Sequence, residues 1–131
     1  MKALVLTALF AFACPAQAHE IKVGDLVIVH PTVNEAEKGQ ATAQGSLEIR
    51  NEGLEAERLL SIEAEFAGNA TLESLVDVTI PSQGRVLVPV VYRKIKTKLL
   101  EDEAYAGELV FRQAGSCKIE ILVHKHAYHR K

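Results

Sequence analysis

The stretch Ile21-Lys22-Val23-Gly24-Asp25-Leu26-Val27-Ile28-Val29-His30-Pro31 sets the fold class. Ile21 and Val23 alternate with polar neighbours, and Leu26 to Val29 is a short apolar run too brief for a buried helix. Together they read as a β-strand that Pro31 stops, because proline has no N–H to give to a ladder. Beyond it, Thr32 to Gln40 is polar and contains Gly39, which reads as a loop.

The residues just before this stretch set the compartment. Ala16-Gln17-Ala18 is a small-x-small cleavage site, preceded by Lys2 and the apolar run Ala3 to Ala13. These are the three parts of a secretory signal, and the run is too short to span a bilayer. The expected division is therefore a signal peptide at 1–18, a domain at 19–123 and a tail at 124–131, with the protein in the periplasm. A lipoprotein anchored through Cys14 is the alternative, disfavoured by Ala11-Phe12-Ala13 before it and Pro15 after it. Removal of the signal leaves one domain with one modest core.

Of 131 residues, 48% are hydrophobic and 24% charged, with 15 Lys+Arg against 17 Asp+Glu. That balance excludes a disordered chain and gives none of the basic field that nucleic-acid binding needs. Cleavage would remove Cys14 and leave Cys117 without an intramolecular partner. Cys117 shares a face with Ile119, Ile121 and Val123 and reads as an apolar filler.

Working outward, Ala41 to Asn51 alternates through Leu47 and Ile49, and Asn51-Glu52-Gly53 is a turn. Glu52 to Glu57 has room for a helical turn and no more. Arg58 to Phe66 alternates again, with Leu60, Ile62, Ala64 and Phe66 expected on one face and Leu59, Ser61, Glu63 and Glu65 on the other. Gly68-Asn69 breaks the pattern, and Thr71 to Ile80 supplies one or two short strands. Arg85 to Tyr92 is a further strand, assigned to a sheet edge or a bulge by Pro89. Arg93, Lys94, Lys96 and Lys98 form a basic patch, read as a solvated edge against which a docking surface is the alternative. Leu99-Leu100-Glu101-Asp102-Glu103 is a loop with two anchoring leucines. Gly107 to Gln113 and Cys117 to His124 are the last strands, joined through Ala114-Gly115-Ser116. Short strands spaced by turns roughly every 8–12 residues predict an all-β sandwich of Greek-key type.

In order along the chain, Val23 to Ile28 with His30-Pro31, Leu47-Glu48-Ile49-Arg50-Asn51-Glu52-Gly53, Glu57-Arg58-Leu59, Ile80-Pro81-Ser82-Gln83-Gly84, Leu99-Leu100-Glu101-Asp102 and Leu109 to Gly115 resemble the PCu(A)C family of periplasmic copper chaperones. The resemblance covers His19 to Val123. It implies a cupredoxin-like β-sandwich and Cu(I) held by two His and two Met, one cluster near Asn69 to Leu75 and one just after a tyrosine, here Tyr92. This sequence departs there: Arg93-Lys94-Ile95-Lys96-Thr97 contains neither His nor Met, and Met1 leaves with the signal. Cu(I) prefers soft sulfur donors, so the family's ligands carry over at no position.

Nitrogen donors lie elsewhere. Cleavage after Ala18 would start the chain at His19, whose α-amino and imidazole nitrogens suit tetragonal Cu(II). His124, His126 and His129 fall in a short His-rich tract, a composition that binds metals and that also occurs as a solvated tail. His30, before Pro31, reads as packing or capping. The expected metal residues are thus His19, His124, His126 and His129, with copper as Cu(II). The partner would be a copper-receiving periplasmic or membrane protein such as an oxidase assembly factor. A metal-free interaction module that kept the fold is the alternative. No phosphate loop, nucleophile elbow or His-Glu-x-x-His pattern occurs, so no enzyme is expected.

Overall fold

Gly24 adopts φ 58°, and with Asp25 it forms a two-residue turn between β1 (Glu20–Val23) and β2 (Leu26–Asn34). A glycine in the first of two loop positions supplies the positive φ that such hairpins need. The expected single strand is therefore a hairpin. The computed structural model describes residues 20–72 and 78–125, and those residues contain no helix.

Pro31 does not end β2. The strand runs on to Asn34, and its register against the next strand shifts between Val29 and Thr32. His30, with φ 51°, and Pro31 occupy this irregularity, where a residue without an N–H takes no bond from the ladder. The expected loop thus begins only after Asn34.

Seven further strands follow: β3 (Thr42–Asn51), β4 (Glu57–Ala64), β5 (Ala67–Leu72), β6 (Val78–Ile80), β7 (Arg85–Ile95), β8 (Ala104–Phe111) and β9 (Gly115–His124). Their hydrogen-bonded order is β5-β7-β3-β2-β9-β8-β4-β6, with β1 on β2. One half is β5-β7-β3-β2 and the other β9-β8-β4-β6. Each connection from β3 through to β8 carries the chain from one half to the other. The halves join where Thr32 to Asn34 pair in parallel with Leu122 to His124. Leu47, Ile49, Val88, Val90 and Tyr92 from the first half meet Leu59, Ile62, Leu109, Phe111, Ile119 and Ile121 from the second in one buried core. The architecture is an all-β sandwich made by curling one sheet upon itself.

Four local expectations are corrected. In β4 the register against β8 shifts between Leu59 and Ser61. Leu59 and Ile62 are consequently both buried, while Leu60 is 45% exposed. Gly68-Asn69 lies inside β5, where Gly68 admits the close approach of Lys94. Pro89 sits within β7 opposite Ser46 of β3, with the described pairing of β5 ending at Leu72↔Val90. Of the two leucines expected as anchors, Leu99 is buried and bridges Ala36, while Leu100 is 44% exposed.

The loop after Asn51 is not a helical turn. The Asn51 side chain donates to the carbonyls of Glu55 (2.7 Å) and Ile80 (3.1 Å) and accepts from the Gly53 N–H (2.9 Å). A buried amide satisfied three times holds this loop against β6.

Candidate functional site

Tyr92 marks the place where the resemblance would put one cluster of ligands. It is buried, with its ring centroid 4.9 Å from that of Phe66, which in turn lies 5.7 Å from Tyr105. Loss of water around the phenol pushes its pKa up, so the ring stays neutral across the physiological range. Register places Ala70 opposite Tyr92 and Asn69 opposite Arg93. The two stretches in question are thus neighbours in the structure.

Their side chains, however, suit an anion. Arg93, Lys94 and Lys96 are all exposed while Ile95 between them is buried. The cause is Lys94, whose φ of 57° is in the left-handed region. The Lys94 and Ile95 N–H groups both turn to the same side, donating to the carbonyls of Ala41 (3.0 Å) and Gln40 (3.1 Å). The next N–H, of Lys96, turns back and donates to Phe66 (2.8 Å). This kink breaks the alternation and presents two consecutive cations to solvent. Guanidinium and ammonium groups donate hydrogen bonds and repel a metal cation. The described residues here do not fit Cu(I).

The thiol of Cys117 offers no substitute. It is buried on the face shared with Ile119, Ile121 and Val123, as its alternation predicts. Burial, and secondarily the charge of Glu108, push its pKa up, away from the thiolate a metal would need.

Among the expected nitrogen donors, His124 is exposed at the end of β9, with its carbonyl accepting from the Glu35 N–H (3.2 Å). His19, His126 and His129 lie outside the described residues. β1 and β9 take successive stretches of the same edge of β2: Glu20 pairs with Val29, and His124 with Asn34. At ~3.3 Å per residue these points are roughly 16 Å apart along β2. Exposed His30 follows Val29 on β2, so the start of β1 and His30 are near neighbours. Among the described residues no group of three or more His, Cys, Asp or Glu is arranged to hold a metal.

One carboxylate, Glu57, is buried, although its alternation with Glu55 reads as a solvated polar face. Glu57 accepts N–H bonds from Arg58 (2.8 Å), Gln113 (3.0 Å) and Ala114 (2.8 Å), clamping the β8–β9 turn to the start of β4. Its role is structural, and its signal in sequence was only an acidic residue ahead of an apolar strand.

No family model matches the chain, and no curated protein sequence matches it. Solved structures do. An apo PCuAC domain from PmoF1 superposes with TM-score 0.77 at 22% identity, over 82% of this chain and 100% of the domain. A copper-bound PCuAC domain from PmoF2 gives 0.75 at 22% identity, over 82% and 99%. The apo form of the PmoF2 domain gives 0.73 at 21% identity, over 86% and 100%. The chain therefore has the PCuAC-type fold, matched along the whole length of those domains.

Proposed function

We propose that the protein is a periplasmic copper carrier that binds Cu(II) through histidine nitrogens at its two chain ends and passes it to a receiving protein. The observation that carries this reading is the full-length likeness to PCuAC domains, one of them copper-bound. The Ala16-Gln17-Ala18 cleavage site supports export, and four of the five histidines, His19 and the tail's His124, His126 and His129, are the candidate donors. His19 at a free amino terminus contributes two nitrogens, and His126 and His129 contribute the remainder of a tetragonal set by folding back across the roughly 16 Å that separates His124 from the start of β1. A site built from two ends of the chain opens without disturbing the core. Transfer to an oxidase assembly factor or similar acceptor then proceeds by exchange of ligands, with no covalent chemistry by this chain.

Electron paramagnetic resonance and Cu(II) titration test this on the mature protein, on a form with one extra residue before His19, and on a form ending at Val123. The expected result is a nitrogen-rich Cu(II) spectrum that both alterations change, with affinity falling as pH drops through about 6.5, where imidazoles protonate. An identical spectrum and affinity in all three forms overturns the terminal site.

A metal-free interaction module is the second reading, favoured by one observation: the place beside Tyr92 carries cations.

A further inference from the structure

Among the described strands the curled sheet does not close. β5 ends one side of the hydrogen-bonded path, and β6 at the other covers only Glu57 to Leu59 of β4. The outer margin of Ser61 to Ala64 in β4 therefore faces the outer margin of β5 with no described strand between them. The turn at Glu65-Phe66 joins the two, with the Glu65 N–H donating to Ala106 of β8 and the Phe66 carbonyl accepting from Lys96, just past β7. Between β4 and β5 lies a cleft of about 470 Å³, lined by Ser61 to Ala64, Ala67 to Ala70 and Lys96. Ala64, Ala67, Gly68 and Ala70 line it with small residues.

Cations stand at its rim on the β5 side. The Lys94 stem lies across Gly68: a Cβ built on that glycine would stand 2.9 Å from Lys94 Cβ and 3.1 Å from its Cδ. Lys96 lines the cleft itself, and Arg93 lies opposite Asn69. None of the three has a carboxylate within ion-pairing distance among the described residues, whereas neighbouring Lys98 reaches Glu37 at 4.0 Å. Lys94 holds a left-handed backbone conformation, which sets its side chain on the same exposed surface as that of Arg93. Two acidic residues belong to the β4 side. Glu65 is engaged, accepting the Ala106 N–H at 2.8 Å, and Glu63 is exposed on the cleft wall.

We infer that this cleft receives an extended acidic segment of another protein, which adds as a strand along β5 and sets its carboxylates against Arg93, Lys94 and Lys96. Backbone pairing to an open sheet margin supplies register, and the cations choose the partner. Glu63 on the opposite wall orients the segment, so its acidic residues face β5. The inference is independent of the copper reading, since it uses none of the histidines.

The probe is a dye-labelled peptide of alternating Glu and Val, with alternating Lys and Val as control. Anisotropy at low and at physiological salt is combined with amide shifts of the isotope-labelled full-length mature protein. Binding of the acidic peptide alone is expected, weakened by salt, with shifts concentrated at 61–64, 67–70 and 93–96. The double charge reversal Lys94→Glu with Lys96→Glu should weaken it at least tenfold, while Lys22→Glu on β1 leaves it unchanged. Both lysines are exposed, so a far-ultraviolet spectrum like the parent's is expected. Absence of binding, shifts mapping elsewhere, or equal binding by the reversed variant overturns the inference. Binding to anionic phosphatidylglycerol vesicles without binding to the peptide also overturns it, and identifies the patch as a lipid contact.

Discussion

Tyr92 shows most plainly how one residue couples burial to chemistry. Desolvation holds its phenol above the ordinary value near 10, and the same cause acts on Cys117. In both cases the folded protein keeps a proton that the unfolded chain releases. The stabilisation is fully present below the unfolded-state pKa and is lost as pH rises past it, near 8.5 for the thiol and near 10 for the phenol. Urea unfolding between pH 8 and 11 should therefore show stability falling with pH. From pH 10 to 11 the parent protein should lose about 1 kcal/mol more than Tyr92→Phe, which has no proton to release. Equal slopes in parent and variant would show that the phenol is not held neutral by burial.

The strands are regular in number and order but irregular at two points where alternation misleads. In β4 the sequence places Leu60 with Ile62 and sets Leu59 against them, yet the shift between Leu59 and Ser61 buries Leu59 completely and exposes Leu60. One inserted residue flips every earlier side chain to the other face. Leu59→Ala should thus cost about 2–5 kcal/mol by denaturant titration, and Leu60→Ala under about 1 kcal/mol. The opposite ranking would restore simple alternation. In β7 the left-handed Lys94 makes a similar break, and it converts what reads as an evenly charged strand end into a concentrated cationic corner. Neither break has a sequence signature of its own, because both residues are ordinary ones in a conformation that only neighbouring strands impose.

The two halves of the molecule are joined by a short parallel contact. Val33 of β2 and Val123 of β9 are direct partners there, and both are fully buried. Residues in contact across a joint share packing that either truncation removes, so Val33→Ala and Val123→Ala should couple by at least about 0.5 kcal/mol in a double-mutant cycle. Because one core spans both halves, near- and far-ultraviolet signals should also melt in a single transition. Additive losses, or two separate melts, would mean that the halves are not joined through this contact.

Periodicity in the chain was sufficient for the all-β class and for most strand cores, because alternation records which face is buried. The buried face of Cys117 and the turn at Asn51 followed from the same local signals. The absence of soft donors after Tyr92 was equally legible, since it is a matter of residue type alone. The pairing of β2 with β9, the open margin between β4 and β5, and the juxtaposition of Asn69 with Arg93 came only with the tertiary structure. They depend on contacts between residues far apart in the chain, and on which strand lacks a neighbour, and no local pattern encodes either.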